Sequence, residues 1–219
     1  MDLQDIHNRL FFLANKETNY WTPGEIDNTL HIAQMWKFVN SRDTYAKDQQ
    51  AQENLAPFKI PYTFTTNNTP GGLITFDITD YLYFLGLYTQ FYNNRLQAVD
   101  YNSVKIIGED ELAYRLKSQL TPVSVESPIA TVAGLGKYQL YPQVPNTGKA
   151  FYLKKPEPPK FVYTMNGRIK TYNKSNSTQL AWSDTCVNEI IIKALQLLGI
   201  NIGDTQLLQF TQAKDQEKI

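Results

Sequence analysis

Residues 55–64 read Leu55-Ala56-Pro57-Phe58-Lys59-Ile60-Pro61-Tyr62-Thr63-Phe64, and the texture of the chain changes across them. The two prolines mark the exit from a helical stretch, because proline fixes φ and disfavours helix in the residue before it. Beyond Pro61, Tyr62 and Phe64, then Leu73, Ile74 and Phe76, read as two strands about the turn Asn67-Asn68-Thr69-Pro70-Gly71-Gly72. The expected fold is therefore α+β, with helices at both ends of the chain and a β-rich middle.

Upstream of the break, Leu3, Ile6, Leu10 and Leu13 lie at helical spacing within 2–16, and Asp2 can cap the start. Asn19-Tyr20-Trp21 reads as a connector. Thr22-Pro23-Gly24-Glu25 is a strong helix start: Thr22 at the N-cap, Pro23 at the first helical position, and Glu25 where a capping box needs it. That helix runs through Ile26, Leu30, Ala33 and Lys37 to about Asn40. The amide- and charge-rich 41–54 reads as an extension or a third helix.

Downstream, Asp77–Gly86 suits a short aromatic helix or a strand, and Tyr88–Tyr92 a strand ending at Asn93-Asn94. Val99–Ile107 reads as one strand, Glu109–Leu120 as a helix with Leu112, Leu116 and Leu120 on one face. Strands follow at 129–133, 138–141 and 151–154. The segment Lys154-Lys155-Pro156-Glu157-Pro158-Pro159-Lys160 has to be extended. Phe161-Val162-Tyr163 continues as a strand, and Asn166-Gly167 favours a tight turn. After Ser183-Asp184 comes the best helix, burying Val187, Ile190, Ile191, Ala194, Leu195 and Leu198 and stopped by Gly199. Asp204 is read as the cap of a last helix with Leu207, Leu208 and Phe210. Residues 1–57 and 183–212 then form a helical bundle, and 58–182 a β-rich insertion with strands at roughly 60–107 and 128–165 and one helix near 109–120.

The 219 residues balance 21 Lys+Arg against 21 Asp+Glu, and charged residues make up only 19 %. A neutral chain lacks the basic excess of a nucleic-acid or membrane-surface binder. Asn, Gln, Thr and 14 tyrosines take the place of charge, a composition suited to protein contacts. The single cysteine, Cys186, permits no intrachain disulfide and points to a reducing compartment. The N-terminus has no signal-peptide pattern, and no apolar run approaches the ~20 residues of a membrane span.

Candidate chemistry is sparse. His7 and His31 fall on expected helices without a Cys or carboxylate cluster at metal-ligand spacing. Cys186 opens a helix but has no paired histidine. Gly71-Gly72 and Gly134-Leu135-Gly136 lack the rest of a phosphate loop or dinucleotide site and read as turns. Glu109-Asp110-Glu111 suits a helix start better than a catalytic pair. Lys154, Lys155 and Lys160 among Phe151, Tyr152, Phe161 and Tyr163 resemble a single-stranded nucleic-acid groove, although solvent-facing lysines on strands account for them more simply. No enzyme, metal or cofactor is expected.

One set of motifs resembles a known group. Phe151-Tyr152-Leu153-Lys154-Lys155-Pro156-Glu157-Pro158-Pro159, then Leu180-Ala181-Trp182, then a helix ending Leu198-Gly199-Ile200-Asn201, is similar to structural proteins of tailed phages of Bacteroidetes hosts. Val104-Lys105-Ile106-Ile107 entering Glu109–Leu116, and the opening Asn8–Lys16, look like the same group. That group resembles the ring proteins of crAss-like phages, the head-to-tail connectors at the portal and upper tail.

The resemblance implies a non-enzymatic virion protein, assembled in the host cytoplasm. It would form a closed, dodecameric ring on the portal protein or an adjacent ring, continue the DNA channel with non-specific contact to DNA, and help retain the genome. Tyr152, Lys154, Lys155, Pro156 and Pro158 would lie near a subunit or portal contact, with strand 151–160 adding to a neighbour's sheet edge. The alternative is another virion component, such as a tail-tube, decoration or cargo protein.

Overall fold

The computed structural model describes residues 1–14, 20–66, 73–75, 80–93, 98–143, 146–167 and 169–200. The fold is mixed α+β, and the chain divides into two compact units. One comprises residues 1–57 together with those described from Pro156 onward; the other is Phe58–Lys155.

The first unit opens with α1, Leu3–Leu13, capped by Asp2, whose carboxylate accepts from the Asp5 amide at 3.0 Å. That amide, aided by Lys174, holds the Asp2 carboxyl below its usual pKa. Helix α2, Pro23–Thr44, has the full capping box: the Thr22 amide donates to Glu25 Oε2 (2.7 Å) and the Glu25 amide donates to Thr22 Oγ1 (3.3 Å). Such a cap is worth about 1 kcal/mol. α2 runs past Asn40, and a separate α3, Gln49–Leu55, follows, so 41–54 is both an extension and a third helix. Ile26, Leu30, Ala33 and Phe38 form the buried stripe of α2. α5, Asp184–Leu197, starts at Ser183 and buries Cys186, Val187, Ile190, Ile191, Ala194 and Leu195; Leu198 is half-buried at its end. α5 lies against α2 and α1. Gly199 follows at φ +79, a left-handed conformation that suits glycine and ends the helix.

The same unit holds a hairpin, β9 (Tyr163–Asn166) and β10 (Ile169–Tyr172), turning at Gly167 with φ +63. Phe161 and Val162 precede the strand rather than belong to it. Residues 156–159 lie outside helix and strand, and Lys160 bridges to Thr178.

The second unit is built of two four-stranded sheets. The first has the order β1 (Lys59–Thr66), β8 (Asn146–Lys154), β3 (Tyr81–Asn93), β4 (Ala98–Ser103). The second has the order β2 (Leu73–Thr75), β7 (Lys137–Tyr141), β6 (Ile129–Gly134), β5 (Lys105–Ile106). Both contribute to one core: Phe64, Leu87 and Ala150 from the first sheet, Ile74, Ala130, Tyr138 and Leu140 from the second, with Val104 between β4 and β5.

Several expectations are corrected here. β1 and β2 are strands, but they pair in different sheets, β1 with β8 and β2 with β7; the turn assigned to 67–72 lies outside the described residues. Tyr81–Asn93 is one strand, because its aromatic and branched residues suit a sheet buried against a second sheet. The run 99–107 is two strands: Val104 leaves the first sheet and Lys105 joins the second, parallel to β6. β8 begins five residues earlier than 151. α4, Glu109–Lys117, stops short of Leu120 and buries none of its residues, so the leucine face is not a core face. The strand containing 151–154 cannot add to a neighbour's sheet, because β8 is paired on both sides, by β1 and β3. The helix expected after Asp204 lies outside the described residues.

Candidate functional site

The segment singled out from sequence is placed as follows. Tyr152, on the central strand β8, is buried, and its hydroxyl donates to Asp80 Oδ1 at 3.4 Å. Burial, with the Asp80 carboxylate beside it, raises its pKa. Lys154 is half-buried at the end of β8, and the exposed Lys155 donates its backbone amide to the Asp80 carbonyl at 2.8 Å. Pro156 is buried and Pro158 exposed within the helical unit. The surface that these five residues offer to another molecule is thus mainly Lys155 and Pro158, with part of Lys154.

The chain beyond Pro156 is fixed by a buried amide. Gln34, on α2, donates Nε2 to the Glu157 carbonyl (2.8 Å), pairs with His31 Nδ1 (3.0 Å), and accepts from Trp182 Nε1 (3.4 Å). Trp182 meets Phe38 edge-on, with ring centroids 6.5 Å apart. The bond to Glu157 satisfies a carbonyl in a segment whose prolines cannot donate.

A second cluster gathers residues that sequence reasoning left apart. His7, only 4 % exposed, pairs through Nε2 with Asp27 Oδ1 at 3.1 Å. Asp27 Oδ2 accepts the Phe161 amide at 2.8 Å. The Phe161 ring stacks on His7 (4.4 Å) and on Tyr172 (4.7 Å). One carboxylate thereby ties together α1, α2 and the approach to the β9–β10 hairpin. Beside it lies a cleft of about 330 Å³, near the lower limit of small-ligand sites. Gln4, His7, Asn8 and Phe11 line it from a single face of α1; Trp21 comes from just before α2 and Ile26 from its first turn, Phe161 from the approach to the hairpin, and Lys170 and Tyr172 from β10. Phe11 and Trp21 are themselves stacked at 5.8 Å. The cleft thus combines aromatic rings, two side-chain amides and one ammonium in its lining. A histidine spaced with Leu3 and Leu10 on an apolar helix face was the sequence signal for a buried acceptor, but nothing local names Asp27.

Among the described residues that line the cleft beside the histidine–carboxylate pair there is no serine, threonine or cysteine. Among the described residues, no group of three or more His, Cys, Asp or Glu could hold a metal ion, and no helix is long and apolar enough to cross a membrane. Cys186 is buried. The Glu109–Glu111 carboxylates open α4, where they complement the helix dipole; Glu111 pairs with Lys105 at 3.1 Å.

No protein-family model matches this chain, and no curated protein matches it.

Proposed function

We propose that the chain is a structural ring adaptor of a tailed-phage particle, oligomerising on the portal or an adjacent ring. It extends the DNA channel and helps retain the genome, without enzymatic activity. The observation that carries this reading is the surface. A chain of zero net charge leaves Phe12, Tyr114, Leu120 and Leu135 more than two-thirds exposed. Scattered apolar residues are ordinary on any surface, but large aromatics on a neutral, amide-rich surface suit contacts with other proteins, with nothing to repel neighbouring copies. In this reading the helices of 1–57 and 183–212 form the bundle that carries the ring body, and Lys154, Lys155 and Pro158 lie near a subunit or portal contact.

The test is light scattering after size exclusion, on the chain alone and mixed with the portal of the same phage. Co-migration as a large symmetric complex supports the adaptor. A double change, Lys154→Glu with Lys155→Glu, is expected to weaken that complex. A chain that ignores portal but binds capsid or tail protein overturns the adaptor role in favour of another virion component.

A further inference from the structure

Helix α4 is nine residues long and buries none of them, although helices this short are marginal in water without tertiary packing. Leu112 and Arg115 are its half-buried residues. On the opposite side Asp110 and Tyr114 lie one turn apart, and Tyr114 is 80 % exposed. A tyrosine presented in this way has the character of an interface anchor: it brings a large apolar area with few rotatable bonds and a polar tip.

The cleft beside His7 has the complementary features. Phe11, Trp21, Phe161 and Tyr172 supply aromatic walls, Gln4 and Asn8 supply amides, and Lys170 supplies positive charge. The first turn of α4 carries three carboxylates, Glu109, Asp110 and Glu111. We propose that α4 of one copy of this chain docks on the next copy, with Tyr114 entering the aromatic cleft and Asp110 facing Lys170.

The occupant is a second copy because protruding anchor and receiving slot are both present on every chain, with opposite charge. Donor and acceptor surfaces differ, so the contact is heterologous. Repetition gives a ring or a filament, not a two-fold dimer. Each contact can be small, since removing one copy from a closed ring requires two to break. This inference deepens the adaptor reading and rests on its premise that the chain assembles with itself.

The test mixes two variants, one carrying Asp110→Cys and the other Lys170→Cys. The natural Cys186 is 1 % exposed and does not compete. Mild oxidation is expected to give a disulfide-linked dimer of one variant with the other, and neither variant alone is expected to give it. Adding Tyr114→Ala to the first variant is expected to lower the yield about tenfold or more. With the cysteines absent, Asp110→Lys is expected to abolish self-association and Lys170→Asp in the same chain to restore it. No mixed dimer, or a dimer insensitive to Tyr114→Ala, overturns the proposal. Portal binding, measured in parallel, separates the two readings: a chain that binds portal without the mixed disulfide loses the α4 contact alone. A chain that forms the disulfide and ignores portal loses the adaptor role alone.

Discussion

Gly148 on β8 sits directly across from Phe64 on β1, and the Phe64 ring occupies the space where a side chain at 148 would stand. A Cβ there would also collide with the Tyr88 carbonyl on β3. The glycine is required by space rather than by backbone conformation, because an aromatic ring from one flanking strand fills its place. Phe64 thereby belongs to the core that joins the two sheets.

Gly148→Ala is expected to destabilise the β-rich unit by about 2–3 kcal/mol, as overpacking against backbone cannot be relieved by a rotamer change. Gly86→Ala is the control, since the nearest atoms its Cβ would meet belong to the Tyr88 side chain, the first at 3.2 Å. Urea unfolding followed by circular dichroism checks both. Tryptophan fluorescence reports the other unit, to which Trp21, Trp36 and Trp182 all belong.

Asp27→Ala leaves the His7 imidazole and the Phe161 amide without their acceptor, and a loss of about 2–4 kcal/mol is expected from two stranded donors. Asp27→Asn is expected to cost less: its oxygen accepts from Phe161 while its amide donates to the other histidine tautomer. Nitrogen NMR of His7 reads the tautomer directly, and an unchanged tautomer in the Asn variant counts against this account.

Gln34→Met conserves volume but removes three hydrogen bonds, to Glu157, His31 and Trp182. The expected cost is about 1–3 kcal/mol. The Trp182 environment changes with it, so its fluorescence maximum is expected to shift. Thermal unfolding that matches the unmodified chain would contradict the role given to this amide.

Alkaline pH is expected to weaken the β-rich unit. Burial, with the Tyr81 hydroxyl 3.1 Å away, raises the Tyr138 pKa well above its ordinary 10.0, and Tyr152 is raised too. Phenols with a folded pKa above the unfolded value contribute stability that is complete below pH 10 and is lost as the pH rises beyond it. Tyr138→Phe is expected to flatten that alkaline slope in denaturation series from pH 8 to 11. A slope identical to that of the unmodified chain overturns the assignment.

The parts legible in sequence are those set by neighbours along the chain. Thr22 and Glu25 complete a capping box within four residues, and Ser183 starts α5 in the same way. Prolines 156, 158 and 159 keep the backbone there out of helix. Pairing is a different matter, because a strand's partner is chosen by distant residues. β1 and β2 are near in sequence yet join β8 and β7, and Val104 divides an apparently continuous strand between two sheets. The leucines at 112, 116 and 120 have helical spacing, but spacing shows that a face exists, not that anything covers it. In the site, Tyr152 and Pro156 stood out only through the motif resemblance and are buried, whereas Asp27 and Phe161 carry no local signal and become partners only through folding.

The helical unit is assembled from both ends of the sequence, and this has a consequence for synthesis. When the ribosome has completed α3, the buried stripes of α1 and α2 still lack α5. At the usual pace of translation, roughly ten to thirty seconds pass before residue 197 is made. During that interval the intervening ninety-eight residues, Phe58–Lys155, are complete and free to fold. The β-rich unit can therefore fold before the helices close, and until then the apolar flanks of α1 and α2 are where a chaperone would find the chain.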